Sequence, residues 1–200
     1  MTTEILPFLG ILYNKSKIKD YGLVLTQPYD KITPEMQNSY YKKHPYNLVR
    51  ITKGKDFKSD KERNNKYSRA GECLEEWLRK NILVQDTKRA IYAYHQEYHS
   101  PIKGASSREI SEANPSGRPC AIGRSASGGQ VRKGFIALMR LKDFGRGVHP
   151  HERTLLKPKQ DRLSQMRATG GSTGQIFMLY SDPKLIINSA INKITAYRKP

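Results

Sequence analysis

The segment from Val148 to Tyr180 concentrates the side chains of this sequence that could carry chemistry. Two histidines, a glutamate and an arginine fall within five positions: His149, His151, Glu152 and Arg153. An imidazole or a carboxylate can move a proton, and a guanidinium can hold an anion. The segment therefore predicts a functional site, but these residue types alone do not name the reaction.

Phosphate handling is the first chemistry that the segment favours. Five cationic side chains lie within fifteen positions: Arg153, Lys157, Lys159, Arg162 and Arg167. Pro158 marks the first turn of a predicted helix, whose N-terminal amides would add donors for an anion. Glu152 is ionised beside these cations and could accept a proton from a hydroxyl group. The alternative interpretation is that these residues are solvated surface charges.

A glycine-rich turn follows the predicted helix at residues 170–174. Such a turn can expose backbone N–H groups to an anion. Its spacing differs from that of a P-loop, so it is a weak nucleotide motif.

A metal site is the second possibility. His149 and His151 would lie on one side of an extended chain, with Glu152 adjacent, and His95 and His99 could join them. No Cys or Asp stands at ligand spacing nearby, and the cationic surroundings repel a divalent ion. We therefore expect no metal held by protein ligands alone, which leaves open a metal that bridges bound phosphates.

The charge balance indicates an anionic partner. The net charge is +18, from 36 Lys and Arg against 18 Asp and Glu. The segment between Lys42 and Arg69 contains ten Lys and Arg residues and three Asp and Glu residues. Such a basic run is more often a solvated surface than a binding groove. Nucleotides, phosphorylated metabolites, nucleic acid and acidic membranes all fit this charge. The alternative is a general basic bias of the proteome or a role in solubility. Nucleic acid is less favoured, because neither an RNP-like pattern nor a helix-turn-helix is present.

The N-terminal apolar run is too short and too interrupted to be a signal peptide or a membrane span, with Pro7 and Gly10 inside it and Glu4 before it. We expect a cytoplasmic protein without a membrane partner. The two cysteines, Cys73 and Cys120, are too few for a disulfide framework.

Alternating helix and strand patterns predict the fold class. A helix begins at Thr33-Pro34-Glu35, a second spans Glu62–Lys80 with Trp77 on its apolar face, and a last one begins near Asp182. The predicted strands are Ile5–Tyr13, Gly22–Thr26, Tyr46–Thr52, Ile82–Val84, Ala90–Tyr98, Arg132–Lys142 and Gly174–Tyr180. This order favours an α+β domain with a mixed, mostly antiparallel sheet and flanking helices.

One segment interrupts the pattern. Fourteen of the thirty residues at 101–130 are Pro, Gly or Ser, which predicts a disordered insertion or a mobile loop. Residues 1–100 and 131–200 would then form one domain, and the strands flanking the insertion would pair as in a hairpin.

Seven motifs together resemble the family catalogued as domain of unknown function 1015. They occur in the family's order: Gln27-Pro-Tyr-Asp30, Ile32-Thr-Pro-Glu35, His44-Pro-Tyr-Asn-Leu-Val-Arg50, Gly134-Phe-Ile-Ala137, His151-Glu-Arg-Thr154, Lys159-x-Asp161-Arg162 and Arg167-Ala-Thr169. Family members are about twice as long and carry a later D-G-H-H-R motif that is missing here. The resemblance thus implies an N-terminal half. Segment 101–130 and the turn after Thr169 also depart from the family pattern.

The later motif of the family resembles that of the ParB-like free-serine kinases. The resemblance therefore implies a nucleotide-dependent phosphotransferase that acts on a small hydroxyl compound such as free serine, with Mg-ATP or Mg-ADP as cofactor. His151 and Glu152 would face the reacting hydroxyl, and Asp30 would help to hold the metal–nucleotide. The implied phosphate- or nucleotide-binding residues are Arg153, Lys159, Arg162, Arg167 and Thr169. The alternatives are a non-catalytic module that binds nucleic acid or another anion, and an inactive truncated fragment.

Overall fold

The computed structural model describes residues 3–98, 122–124, 130–150 and 155–197. Within these residues, helices combine with short strands, and every described pair of strands is antiparallel. The predicted α+β class is confirmed. The strands form three small sheets of two, two and three strands.

The described residues fall into two compact units that interleave along the chain. Those of unit 1 lie within Leu9–Arg89 and Lys142–Ile176. Those of unit 2 lie within Thr2–Phe8, Ala90–Leu141 and Phe177–Pro200.

Helices dominate unit 1. Its α-helices are α1 (Pro34–Lys43), α2 (Val49–Thr52), α3 (Lys66–Arg79) and α4 (Leu156–Thr169). Helix α1 begins as predicted, because the Thr33 side chain accepts a hydrogen bond from the Met36 amide and Pro34 occupies the first turn.

A reciprocal capping box fixes the start of α3, four residues later than predicted. The Asn65 side chain accepts from the Ser68 amide, and the Ser68 hydroxyl accepts from the Asn65 amide. The helix buries Ala70 and Trp77, as its apolar spacing predicts. Trp77 lies in the core of unit 1 with five other buried residues: Ile18, Val24, Ile51, Ile82 and Leu83.

The strands are short. They are β1 (Ile5–Leu6), β2 (Ile11–Tyr13), β3 (Leu83–Gln85), β4 (Tyr92–Tyr98), β5 (Ile122–Arg124), β6 (Gln130–Ile136) and β7 (Leu138–Met139). In unit 1, β2 pairs with β3, with Leu12 opposite Val84.

Unit 2 contains the three-stranded sheet, in the order β4-β6-β5. Strands β4 and β6 pair along their whole length, from Tyr92 opposite Ile136 to Tyr98 opposite Gln130. The predicted hairpin-like pairing is thereby confirmed. Strand β1 pairs with β7, and helix α5 (Ile186–Tyr197) completes the unit.

Two predicted strands of unit 1 are wrong. Residues 49–52 form α2, because the buried Asn47 side chain accepts a hydrogen bond from the Val49 amide and donates one to the Leu23 carbonyl. Residues 21–23 form a 3-10 turn, which Asp20 caps by accepting from the Gly22 amide. In both places a side chain just before the segment bonds the backbone and overrides the strand preference of the apolar residues.

Three further expectations need correction. Residues 174–180 are irregular and exposed rather than a buried strand. The predicted first strand is divided into β1 and β2, with Pro7 and Gly10 between them. The last helix begins at Ile186, and the Asp182 carboxylate accepts from the amides of Ile186 and Asn188.

Most of the segment 101–130 lies outside the described residues. Within it, Ile122–Arg124 form β5 and Gln130 begins β6. None of the helices described here is both long and apolar enough to cross a membrane.

Candidate functional site

Helix α4 lies in unit 1 with its polar side towards the protein. Gln165 is 2% exposed, and Asp161 and Arg162 are half-buried. Three large apolar side chains of the same helix are more exposed: Leu156 at 68%, Leu163 at 45% and Met166 at 47%. Polar contacts, rather than an apolar stripe, therefore hold α4 in place.

Helices α3 and α4 come unusually close at one glycine. A Cβ atom added to Gly71 would lie 2.5 Å from the carbonyl oxygen of Ala168. This backbone approach requires glycine on α3 and brings the polar side of α4 against α3 and the end of α2.

Two side chains of α4 satisfy the carbonyls at the C-terminal end of α2. The Gln165 amide donates to the Ile51 carbonyl, and the Arg162 guanidinium donates to the Thr52 carbonyl at 3.0 Å. The last carbonyls of a helix have no partner within that helix, so these bonds complete α2.

Arg162 makes three kinds of contact, with Asp161, Tyr29 and Thr52. Its Nε donates to the Asp161 carboxylate at 3.0 Å, and a second nitrogen bonds the same oxygen. Its guanidinium also stacks on the Tyr29 ring, 4.0 Å from the centroid. A guanidinium has five N–H donors. Three are used in these bonds and the bond to Thr52, so two N–H groups have no partner among the described residues.

Asp161 connects α4 to α3. The Tyr67 hydroxyl donates to it at 2.8 Å, and Lys66 Nζ lies 3.6 Å away. Burial acts to raise the pKa of Asp161, but the hydrogen bonds from Arg162 and Tyr67 outweigh it and lower that pKa below its usual value. Asp161 is therefore ionised at neutral pH and fixes the position of Arg162.

Lys53 contributes a second cation beside Tyr29. Its Nζ donates to the Tyr29 carbonyl at 3.1 Å and lies 6.0 Å from the centre of that ring. Lys53 is half-buried, and among the described residues no carboxylate forms an ion pair with it. We use the name Arg162 cluster for Tyr29, Lys53, Lys66, Asp161 and Arg162.

The predicted phosphate-binding residues of α4 do not all lie on one side of the helix. Lys159 is exposed and lies three positions before Arg162, so the two side chains are neighbours on the helix surface. Arg167 is exposed, and its spacing of five residues from Arg162 turns it to another side. The Thr169 hydroxyl donates within the helix end, to the carbonyls of Gln165 and Gly171. Asp30 is exposed and directly follows Tyr29 of the Arg162 cluster.

The predicted catalytic pair lies outside the described residues. His151 and Glu152 belong to the segment 151–154, as does the predicted phosphate ligand Arg153. Their roles remain predictions. Among the residues that the structure does describe, no group of three or more His, Cys, Asp or Glu side chains could hold a metal ion.

Sequence reasoning missed four components of this site. Tyr29 directly precedes the predicted ligand Asp30, and both Lys53 and Lys66 lie in the basic run between Lys42 and Arg69, for which a solvated surface was the favoured interpretation. Gln165 carries no charge and gave no indication of its buried role. Arg162 of α4 and Thr52 of α2 are 110 residues apart in the chain, and only the packing of these two helices brings the side chains of the site together.

The fold and site define an α+β protein with a half-buried cation cluster on its first unit. The chain belongs to the family described as Protein of unknown function (DUF1015), whose model matches residues 5–109 and 118–200. The break in the match, at 110–117, falls inside the segment 101–130. Neither a curated protein nor a solved structure matches the chain.

Proposed function

We propose that this protein is a nucleotide-dependent phosphotransferase that acts on a small hydroxyl compound and holds the nucleotide's phosphates at the Arg162 cluster. The observation that carries the proposal is the charge of that cluster. Lys53, Lys66 and Arg162 supply three cations. Asp161 is the one carboxylate within the cluster, and the exposed Asp56 outside it pairs with Lys66 at 3.2 Å, so one positive charge is in excess. Half-buried cations in excess over their partners attract an anion more strongly than solvated ones.

The donors of the cluster suit a phosphate group. Arg162 retains two N–H groups beyond its bonds to Asp161 and Thr52, and the Lys53 ammonium, which has three N–H donors, uses one of them on the Tyr29 carbonyl. Asp161 and the Tyr29 ring hold the guanidinium in one place, so little side-chain freedom is lost when a phosphate binds. Lys159, on the same side of α4, would add a further cation from solvent.

Arg167 and Thr169 would contact a different part of the nucleotide. Thr169 lies seven residues after Arg162, roughly 10 Å along the axis of α4. One phosphate at Arg162 does not span that distance. Arg153, which comes two residues before the N-cap Leu155, would approach from the other end of the helix.

The proposed reaction assigns the proton transfer to the segment before α4. Glu152 accepts the proton of the substrate hydroxyl, while His151 orients that hydroxyl. The hydroxyl oxygen forms a bond to the terminal phosphorus of the nucleotide, and the bond from that phosphorus to the bridging oxygen breaks. The shortened nucleotide leaves with the bridging oxygen, and the cations of the Arg162 cluster stabilise the negative charge on the phosphates.

Magnesium is the proposed cofactor, bound as Mg-ATP or Mg-ADP. Mg²⁺ is usually held by one or two carboxylates together with substrate phosphates rather than by a cage of protein ligands. Asp30 fits such a role, because it is exposed and follows Tyr29 directly. When bound, the ion would neutralise charge on the phosphates and align them.

Isothermal titration with Mg-ATP and Mg-ADP at low salt tests the proposal. Lys53→Gln should weaken binding about tenfold, the effect of one lost charge-assisted hydrogen bond. Lys58→Gln is the matched control, since Lys58 is exposed and carries the same charge in the same basic run. Glu152→Ala should bind the nucleotide normally but transfer no phosphoryl group to a hydroxyl compound.

Three outcomes would reject the proposal. Equal affinities for Lys53→Gln and Lys58→Gln would show that the cluster is not the phosphate site. If duplex or single-stranded nucleic acid binds, with an affinity that falls steeply as salt is added, and nucleotides do not, the chain is a nucleic-acid-binding module instead. A chain that binds none of these ligands would support an inactive fragment.

A further inference from the structure

A second group of cations lies around Tyr41 and shares no residue with the Arg162 cluster. The guanidinium carbon of Arg50 is 4.4 Å from the centre of the Tyr41 ring, and Lys55 Nζ is 4.7 Å from it. All three residues are half-buried. We use the name Tyr41 cluster for Tyr41, Arg50 and Lys55.

The Tyr41 cluster lacks the counterions that neighbouring cations have. On α3, Arg69 pairs with Asp60 at 2.7 Å and Lys66 pairs with Asp56 at 3.2 Å. Within the described ranges, no carboxylate forms an ion pair with Arg50 or Lys55. Two like charges are thus held near one ring without a negative partner, an arrangement that an anion would stabilise.

The backbone around Lys55 is fixed by side chains from two helices, α1 and α3. Arg69 donates to the Lys55 carbonyl at 2.7 Å, Gln37 donates to the carbonyls of Lys53 and Gly54, and the Lys55 amide donates to the Tyr41 hydroxyl at 3.1 Å. The segment also packs tightly, because a Cβ on Gly54 would lie 3.2 Å from the Lys66 carbonyl oxygen. The backbone that carries Lys55 is therefore positioned before any ligand arrives, which favours binding.

The Tyr41 hydroxyl provides a neutral donor. Burial raises the pKa of Tyr41, against the opposing effects of the Lys55 amide and the Arg50 charge. The hydroxyl therefore remains protonated at neutral pH. It already accepts the Lys55 amide, and no described residue accepts its proton, so the proton is available to a ligand oxygen.

We propose that Arg50, Lys55 and the Tyr41 hydroxyl bind a phosphate dianion, either inorganic phosphate or the phosphate of a small monoester. The two cations match the two negative charges. Arg50 provides a planar guanidinium that suits phosphate oxygens, and the ammonium of Lys55 provides a point charge. Because Arg50 also donates to the Tyr41 carbonyl at 3.0 Å, its position is fixed independently of the ligand.

The test is isothermal titration of the full chain with inorganic phosphate and, separately, with glycerol 3-phosphate. Lys55→Gln should raise the Kd about tenfold, as expected when one charge-assisted bond is lost. Tyr41→Phe, which keeps the ring and removes the hydroxyl, should raise it as well. Lys58→Gln, with the same loss of charge nearby, should leave the Kd unchanged. Thermal unfolding of each variant checks that it folds.

The outcomes separate the two ligand sources and the two clusters. Binding of inorganic phosphate alone would identify the free ion as the ligand, and tighter binding of glycerol 3-phosphate would identify a monoester. In Lys55→Gln the affinity for Mg-ATP should persist, because that residue does not belong to the Arg162 cluster. The proposal is overturned if wild-type protein binds neither probe, or if Lys55→Gln and Lys58→Gln bind with equal affinity.

Discussion

The buried side chain of Gln165 donates a hydrogen bond to the carbonyl of Ile51, 114 residues earlier in the chain. This bond completes the C-terminal end of α2, a helix of four residues that begins directly after the half-buried Leu48 and the buried Asn47. A helix this short has few internal bonds. The end of α2, which leads into Lys53 and Lys55, is therefore positioned by α4.

Replacing Gln165 with leucine should destabilise unit 1. The Ile51 carbonyl would lose its partner while remaining buried, at a cost of about 1–3 kcal/mol. Urea denaturation followed by the fluorescence of Trp77, the one tryptophan of the chain, measures the change. Gln160→Leu, at an exposed position of the same helix, is the control. Equal stabilities for the two variants would contradict the assigned role of Gln165.

Replacing Gly71 with alanine should also destabilise the protein, although alanine is the better helix former. Helix propensity alone predicts a gain of about 1 kcal/mol. The added Cβ would meet the Ala168 carbonyl oxygen at 2.5 Å, and such overpacking costs about 1–3 kcal/mol. A net loss of unfolding free energy is therefore expected. Gly134→Ala, where the added Cβ meets nothing within 4 Å, provides the comparison. A more stable Gly71→Ala protein would refute the close approach of α3 and α4.

The stability of unit 1 should fall in acid because of Asp161. Burial acts to raise its pKa, but the bonds from Arg162 and Tyr67 lower the pKa in the folded state. A lowered carboxyl pKa contributes stability that is fully present above the unfolded-state pKa, about 3.9. This stability is lost as the pH falls through the folded-state pKa.

Urea midpoints measured between about pH 2 and pH 6 test this dependence. Asp161→Asn should be less stable than wild type at the upper end of that range, and the difference should shrink towards the lower end. A difference that stays constant across the range would show that Asp161 acts through packing rather than through its charge.

Cys73 should react slowly with alkylating reagents. Burial raises the pKa of its thiol, and the nearby Arg50 charge opposes that effect. Because the thiolate is the reactive form, iodoacetamide at pH 8 should label Cys73 more slowly than a free cysteine. A Cys120→Ser background isolates the site. Adding Arg50→Gln should slow labelling further, since it removes the opposing charge, and faster labelling would contradict this account.

Local sequence determined the elements that were predicted correctly. Thr33, Pro34 and Glu35 specify the start of α1 through bonds and backbone angles within one turn. Strand β4 has three tyrosines and β6 has Val131, Phe135 and Ile136, each within seven positions, which gives a clear strand preference. In these places the local sequence by itself indicates the conformation of the backbone.

The strand predictions that were wrong fall on short apolar runs whose conformation depends on contacts with distant residues. Val49 and Ile51 suit a strand, yet Asn47, bonded to the Leu23 carbonyl, starts a helix there. The candidate site could be predicted only in part for the same reason. The charge density of α4 was evident from sequence, but the stacking of Arg162 on Tyr29 depends on a contact across 133 positions. Residue types alone do not encode such a pairing.

The inverted polarity of α4, with polar side chains inward and Leu156, Leu163 and Met166 outward, also determines how the helix can open. Its release from α2 and α3 would break hydrogen bonds and an ion pair while exposing little additional apolar area. The free energy of such an opening depends only weakly on urea, because the denaturant slope scales with the newly exposed surface. In hydrogen exchange, the α4 amides should therefore exchange through a local opening whose free energy is almost independent of urea concentration. The amides of α3, which buries Trp77, should instead exchange through global unfolding.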